Sequence, residues 1–190
     1  MAASHPPFSI GLGRKGTGAM AQWFRGSSVH KVDAKGRVSV PAPYRRVISA
    51  ADPDWTEGLQ PNLVLVFGDD HRGYLEGFTI AAMAMLEVEI DGMPMGSPEQ
   101  LLLQEFYSNN AVDLNIDDSG RLILSKDLRD KVGVTDEAQF VSAGSTFQIW
   151  NPTAYANRKS RMSDIHAQYR AQKGEDFDPR TLLQHEREKG

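Results

Sequence analysis

The feature that most constrains the fold is a pair of Asp-x-x-Gly-Arg segments that lie 84 residues apart, from Asp33 to Asp117. Residues 32–40 read Val-Asp-x-x-Gly-Arg-Val-x-Val, and residues 116–124 read Ile-Asp-x-x-Gly-Arg-Leu-x-Leu. At the same shift, Arg45 aligns with Arg129. Turn, apolar and arginine positions that match over such a distance indicate an internal duplication, in which each copy is one supersecondary unit.

Each copy predicts a strand, a turn, a strand, a short helix and a returning pair of strands. Asp33 suits the first position of a type I turn, and Gly36 suits a position that needs positive φ, so a bulged hairpin is expected. Pro41 fits the first turn of a helix, because the N–H that proline lacks has no intrahelical partner there. The apolar run 63–67 predicts a buried strand, and Tyr74 begins the return strand.

Helical spacing marks the segment between the copies. Apolar residues recur from Ile80 onward, Thr79 is a candidate N-cap, and Ser97 opens a capping box. The expected organisation is a flexible arm over 1–22, a first repeat over 24–78, a helical connector over 79–108, a second repeat over 109–152, and a C-terminal helix with a polar tail over 153–190. Both Met1 and Met20 fit as the start of the chain.

The net charge is −4, but it is unevenly distributed. Residues 1–50 hold eight Lys or Arg and one Asp, whereas residues 51–110 hold one Arg and eleven acids. The basic residues near the first motif are Arg25, His30, Lys31, Lys35, Arg37, Arg45 and Arg46. A basic segment on an acidic chain predicts contact with a polyanion. The alternative is that the charges mix on the folded surface.

In each motif, the aspartate and the glycine shape the turn, and the arginine is available to contact a ligand. The turn-shaping residues are Asp33, Gly36, Asp117 and Gly120. The arginine that follows each glycine is held on a hairpin, which suits bidentate contact with a phosphate or a guanine edge. The alternative is an Asp–Arg pair that only stabilises the hairpin, and exposed pairs of that kind contribute little. Arg121 has the less basic surroundings, so its DNA contact is the weaker prediction.

Two further segments accompany these motifs, namely Phe-Arg-Gly at 24–26 and FYSNNAVDLNIDDSGRLILSKDLR at 106–129. Together they resemble the MraZ family. The resemblance spans residues 24–150. It implies a mostly β fold with short helices (α+β), in which two tandem AbrB-like βαββ repeats form a pseudo-two-fold, double-psi-type β-barrel. Pro43 departs from the family pattern, in which a basic residue is common, as do the arm 1–19 and the acidic loop 51–60.

The resemblance also implies a function. MraZ proteins are bacterial regulators of the division and cell-wall gene cluster, so the chain is expected to be a cytoplasmic, nucleoid-associated repressor. Ring-like homo-oligomers would bind direct repeats in double-stranded DNA upstream of that cluster. The residues expected to contact DNA are Arg37, Lys35, Lys31, Arg25, His30, Arg45 and Arg121.

Other functions find little support. The chain has no Cys, its five His are scattered without a metal-binding spacing, and no apolar run is long enough to cross a membrane. The GxGxxG match at 11–16 lacks a preceding strand, and residues 69–71 (Asp-Asp-His) fit a solvated turn better than a metal site. No cofactor, metal, membrane or small-molecule substrate is therefore expected. An enzyme and an AbrB/MazE-like antitoxin or interaction module are kept as alternatives.

The connector carries more apolar residues than a small barrel needs. They are Ile80, Met83, Leu86, Leu101, Leu102 and Phe106. We expect part of this surface to be buried between subunits in a closed oligomer larger than a dimer. The alternative is that these side chains only cover the barrel of a monomer.

Overall fold

The computed structural model describes residues 23–69 and 71–183. Its elements in chain order are β1 (Ser27–Lys31), β2 (Arg37–Ser39), α1 (Ala42–Ala50), β3 (Asn62–Val66), β4 (Tyr74–Thr79), α2 (Ile80–Asp91), α3 (Pro98–Gln104), a π-helical turn (Glu105–Asn109), β5 (Ala111–Asn115), β6 (Arg121–Ile123), α4 (Lys126–Val132), β7 (Glu137–Ala143), β8 (Thr146–Trp150), α5 (Pro152–Lys173) and a 3₁₀ turn (Pro179–Thr181). The predicted arm, the GxGxxG segment and Asp70 lie outside the described residues.

The strands form a six-stranded antiparallel sheet in the order β1-β7-β8-β4-β3-β5 and a separate two-stranded ribbon, β2-β6. The first strand of each repeat pairs with the other repeat: β1 lies beside β7, and β5 lies beside β3. The predicted class of strands with short helices is therefore confirmed. Within residues 23–69 and 71–183 the six-stranded sheet runs from β1 to β5 without closing, so these pairings show no closed barrel.

The strand registers obey a pseudo-two-fold symmetry. The axis passes between Val38 and Leu122, which are opposite each other in the ribbon and are equivalent positions of the duplication. It also passes between Glu76 and Gln148, which are opposite each other where β4 pairs with β8. Because the first strands are exchanged, neither repeat completes its own sheet, and the two copies fold as one interleaved body.

The main core lies between the ribbon and the large sheet and draws on both repeats. Val38, Leu122, Phe140 and Phe147 are fully buried in one cluster. Tyr44 from α1 lies among them, and its hydroxyl donates to the Gly26 carbonyl at 2.7 Å. Burial raises the pKa of Tyr44 to about 12, so this hydroxyl stays protonated and keeps its donor role at neutral pH.

A second cluster holds the connector against the sheet. Met83 packs with Val64, Val66 and Phe78 from β3 and β4. Both predicted N-caps are present: the Thr79 side chain accepts the Ala82 N–H at 3.1 Å, and the Ser97 side chain accepts the Gln100 N–H at 3.2 Å. Three of the other predicted apolar connector residues are half-buried, namely Ile80, Leu86 and Phe106. The remaining two, Leu101 and Leu102, are exposed.

The chain ends in a long helix. Asn151 caps α5, because its Oδ1 accepts the N–H groups of Thr153 and Ala154 at 2.9 and 3.1 Å. The described residues up to 157 belong to one compact unit, and the described residues 158–183 belong to a second. No helix in the part of the chain that the structure describes is long and apolar enough to span a membrane.

Candidate nucleic-acid interface

The two Asp-x-x-Gly-Arg turns share one backbone geometry, as the sequence predicts. In the first, Asp33 N–H donates to the Arg37 carbonyl at 3.0 Å, and Gly36 N–H donates to the Asp33 carbonyl at 2.8 Å. In the second, the equivalent distances, from Asp117 and Gly120, are 2.8 and 2.7 Å. The glycines have φ of +78° and +75°, in the left-handed region that glycine enters without a Cβ penalty.

The aspartate fixes each turn and the arginine after it. Asp33 Oδ1 accepts the N–H groups of Lys35 and Arg37, both at 2.9 Å, and Oδ2 accepts Arg37 Nε at 2.6 Å. Asp117 bonds Arg121 in the same way, with 2.9 Å to its backbone N–H and 3.1 Å to Nε. Each arginine is therefore oriented by a contact made through Nε alone.

These contacts stabilise the charged form of both carboxyl groups. The pKa of Asp33 lies below its ordinary value, chiefly because the backbone N–H of Arg37 bonds the carboxylate. For Asp117, desolvation raises the pKa, but the Arg121 N–H and guanidinium outweigh it and the net pKa is lowered. Both carboxylates are thus ionised at neutral pH, and each holds its arginine side chain along the hairpin.

The terminal guanidinium nitrogens are left for another partner. Within the described residues, the side chains of Arg37 and Arg121 form no hydrogen bond or ion pair beyond the aspartate of their own turn. Their side chains are 35% and 33% exposed, which gives a ligand access to the fork. The two interpretations of the motif are compatible, since the Asp–Arg pair that stabilises the hairpin also pre-orients the arginine.

The turns brace each other across the pseudo-two-fold. Leu124 N–H donates to the Gly36 carbonyl at 2.8 Å, and Val40 N–H donates to the Gly120 carbonyl at 2.9 Å. Arg129 from α4 lies over Gly36, and its Nε donates to the Leu124 carbonyl at 3.2 Å. Each turn is therefore supported by residues of the other repeat.

Arg45, which the sequence predicts to contact DNA, occupies the equivalent place on the second turn. A Cβ on Gly120 would lie 2.1 Å from a terminal nitrogen of Arg45, so that guanidinium packs directly on the glycine. Arg45 Nε is buried without a hydrogen-bond partner among the described residues. Its neighbour Arg46 is exposed on α1. The structure therefore places Arg45 against the second turn.

The first hairpin (residues 27–39) and the chain just before it carry the basic residues. Arg25, Lys31 and Lys35 are exposed. His30 is half-buried: its ring bonds the Ser28 hydroxyl at 2.9 Å and meets the Phe140 ring edge-on at 5.5 Å. Desolvation lowers the pKa of His30 below its ordinary value, so it is neutral at pH 7 and adds no charge.

The second hairpin (residues 111–123) has the same shape and the opposite charge. Asn115 stands where the first hairpin has Lys31, and Asp118 and Ser119 stand where it has Ala34 and Lys35. A groove of about 290 Å³ runs along this hairpin, and its lining includes Asp113, Asp117 and Arg121. Arg121 thus lies among carboxylates.

The loop between α1 and β3, which is acidic in sequence, contacts the second hairpin. Gln60 Nε2 donates to Asp118 Oδ1 at 3.1 Å, and Ile116 N–H donates to the Pro61 carbonyl at 3.0 Å. Asp52 is buried and organises the loop by accepting the Asn62 N–H at 2.8 Å. Sequence reasoning noted that this loop is acidic but missed its contact with the second hairpin, because the exchange of strands brings them together.

Asp69 Oδ1 accepts the His71 N–H at 3.1 Å. Across the described residues there is no group of three or more His, Asp or Glu arranged to hold a metal ion.

The amino-acid sequence of the chain is similar to those of known proteins. Residues 108–175 match the family model described as "MraZ protein, putative antitoxin-like". The chain is 44% identical over 164 residues to a protein of Ruegeria pomeroyi named transcriptional regulator MraZ, with 86% of this chain and 96% of that protein covered. A protein of Cereibacter sphaeroides with the same name is 41% identical over 144 residues, covering 72% of this chain and 84% of its own length.

Proposed function

The chain belongs to the MraZ family of transcriptional regulators, and from that premise we propose that it represses the bacterial division and cell-wall gene cluster by binding direct repeats in the upstream DNA. The observation that carries the proposal is the presentation of Arg37. Its Nε is held by Asp33, its terminal nitrogens have no partner among the described residues, and exposed Lys31 and Lys35 lie on the same hairpin.

The roles of these residues follow from what each contact can do. Arg25, Lys31 and Lys35 would bind phosphates, which gives affinity without sequence preference. Arg37 would read a base edge, since a pre-oriented guanidinium forms two parallel hydrogen bonds with guanine. His30 would contact DNA as a neutral donor. Arg121 would contribute less, since the carboxylates around it repel the phosphate backbone.

Arg45 takes a different role in this proposal. Because its guanidinium packs on Gly120, we assign it to bracing the second turn and not to direct DNA contact. Exposed Arg46, beside it on α1, is the better candidate for a phosphate contact from that helix.

The double-psi-type barrel implied by the family remains part of the proposal. The connection β1 to β2 is a tight hairpin with a bridge from Val32 to Val38, and the turn from β5 to β6 repeats its geometry. Since β2 pairs with β6, the ribbon links the two outer strands of the large sheet and would complete the barrel wall.

One basic hairpin gives few phosphate contacts, and a few contacts bind weakly at physiological salt. We therefore propose that a ring-like homo-oligomer presents several first hairpins at once to repeated sites. Linked weak contacts act as one strong site only when the spacing of the DNA repeats matches that of the hairpins.

The test is a gel-shift titration of the purified protein against the DNA upstream of its own gene, with a scrambled duplex of equal length as control. We expect retardation of the native duplex alone at moderate salt, and a steep loss of affinity as salt rises. Equal affinity for both duplexes would contradict sequence-specific binding, and no binding at low salt would contradict the whole proposal.

The antitoxin alternative predicts a disordered toxin-binding tail after one repeat. Here two repeats are followed by the continuous helix α5, from Pro152 to Lys173. The curated relatives are named as regulators of transcription and not as enzymes.

A further inference from the structure

Helix α2 carries apolar side chains on its outer side as well as on its buried side, and this is unusual for a helix with one side in water. Met83 and Ile90 are buried against the body of the molecule. On the outer side, Met85 is 64% exposed and Val88 is 72% exposed. Large apolar side chains that cluster on an exposed face mark an interaction surface, so the outer face of α2 indicates a surface that something else covers.

Helix α3 extends the same surface. Gln100 is buried and joins α3 to the end of α2, because its Nε2 donates to the Ile90 carbonyl at 3.2 Å and its Oε1 accepts the Gly96 N–H at 2.8 Å. Leu101 and Leu102 are then left 55% and 67% exposed. We call the outer faces of α2 and α3, with Met85, Val88, Leu101 and Leu102, the platform.

The charge around the platform is of one sign. From residue 73 to residue 120 the sequence contains no Lys, Arg or His. Its acids on α2, α3 and the π-helical turn are Glu87, Glu89, Asp91, Glu99 and Glu105. An occupant of the platform must therefore offer an apolar stripe flanked by positive charge.

Helix α5 has these properties. Met162, Ile165 and Tyr169 recur at helical spacing and are 50%, 44% and 37% exposed. Phe177 stacks on Tyr169, with ring centroids 5.5 Å apart, and extends the apolar stripe. The charged residues of α5 are Arg158, Lys159, Arg161, Arg170, Lys173 and a single acid, Asp164. From Met162 to Tyr169 the stripe covers eight residues, or about 10 Å of helix, which matches the two turns of α2 from Ala81 to Val88.

We propose that the platform of one subunit binds α5 of a second copy of this chain. The platform and α5 are complementary in apolar pattern and in charge. Every copy of the chain carries both surfaces, so the platform of one copy can bind α5 of the next. Such an interface is heterologous: each subunit uses its platform on one side and its α5 on the other, which generates a ring when the rotation closes. The inference rests on the proposed oligomer and names the surfaces that build it.

The test uses two variants of the full chain that each disable one surface. Val88→Asp places a charge on the platform, and Ile165→Asp places a charge on the stripe; both positions are exposed in the single chain, so folding should survive. Leu59→Asp, at an apolar position 57% exposed in the loop before β3, is the matched control. Size-exclusion chromatography with light scattering reports the mass of each.

We expect the wild type and Leu59→Asp to be oligomers, and each of the other variants to be a single chain of 21.0 kDa. An equimolar mixture of the two should form a species of twice that mass, because the intact α5 of Val88→Asp can bind the intact platform of Ile165→Asp.

The outcomes separate this inference from the proposed function. Oligomers that persist in both variants would contradict binding between the platform and α5, but not the proposed oligomer. A wild type of 21.0 kDa would contradict both the interface and the proposed oligomer. Monomers that fail to combine on mixing would indicate that α5 does not bind the platform in trans. Loss of binding to anionic phospholipid vesicles in Ile165→Asp, with assembly unchanged, would assign the stripe to a membrane instead.

Discussion

The two hairpins share their turn hydrogen bonds and glycine conformation but are opposite in charge. Both turns have the same two backbone hydrogen bonds and a glycine with positive φ, +78° in the first turn and +75° in the second. In both, the arginine is bound through Nε to its aspartate. The first hairpin adds Lys31 and Lys35, whereas the second adds Asp118 and is contacted by an acidic loop. The motif therefore fixes the position of the arginine, and the neighbouring residues determine what that arginine can bind.

The largest expected effect is on DNA binding. Arg37→Ala should abolish specific binding, because each bidentate base contact is worth about 1–3 kcal/mol and the loss is multiplied across the subunits of an oligomer. Arg121→Ala, the matched control on the second hairpin, should reduce affinity less. Both variants should unfold near the wild-type midpoint, since the arginines are part-exposed. Equal losses of affinity, measured by fluorescence anisotropy, would show that both hairpins read DNA.

The next effect is on stability and concerns the turn glycines. Alanine at either position is strained by about 1–2 kcal/mol, because a Cβ is disfavoured at positive φ. At Gly36 the Cβ would also lie 2.2 Å from the Leu124 carbonyl oxygen, so backbone must move. At Gly120 it would meet the end of the Arg45 side chain, which can rotate away. Gly36→Ala should therefore lower the free energy of unfolding more than Gly120→Ala does.

Urea denaturation followed by circular dichroism gives this comparison directly. Adding Arg45→Ala to Gly120→Ala should recover part of the loss, since it removes the atom that the new Cβ meets. Additive losses in this double-mutant cycle would mean that Arg45 does not pack on the turn.

The sequence predicts the hairpins well because they are local. Asp33 and Gly36 define their turn within four residues, and the N-caps Thr79 and Ser97 bond N–H groups three residues on. The placement of Arg45 could not be predicted from neighbouring residues, since its contact is with Gly120 in the other repeat. The duplication carries a signal that could have found it: Arg45 and Arg129 are equivalent, so their roles in the two turns should be too.

A smaller effect should separate these two bracing arginines. Arg129 Nε donates to the Leu124 carbonyl, and a hydrogen bond that involves a charged group contributes about 1.5–3 kcal/mol when buried. Arg129 is half-buried, so Arg129→Ala should cost less than that range. Arg45 Nε has no partner among the described residues, so Arg45→Ala removes an unsatisfied donor together with its packing and should cost less still. A greater loss of stability from Arg45→Ala than from Arg129→Ala would contradict this ranking.

The smallest expected effect is the acid sensitivity of the two turns. A carboxyl group whose pKa is lower in the folded than in the unfolded state binds fewer protons when folded, so it stabilises the protein above its unfolded pKa, about 3.9 for Asp. That stability is lost as pH falls through the lowered folded pKa.

The pKa values of Asp33 and Asp117 are both lowered, but desolvation opposes the shift most strongly at Asp117. The bond from Arg Nε is also shorter at Asp33, 2.6 against 3.1 Å. The wild type should lose stability as pH falls below the ordinary Asp pKa. This loss should be reduced more by Asp33→Asn than by Asp117→Asn. Urea denaturation of the three proteins at a series of pH values gives the free energy of unfolding of each, and the wild-type-minus-variant difference isolates each carboxylate. If the difference for Asp33 does not change with pH, its hydrogen bonds do not favour the ionised form.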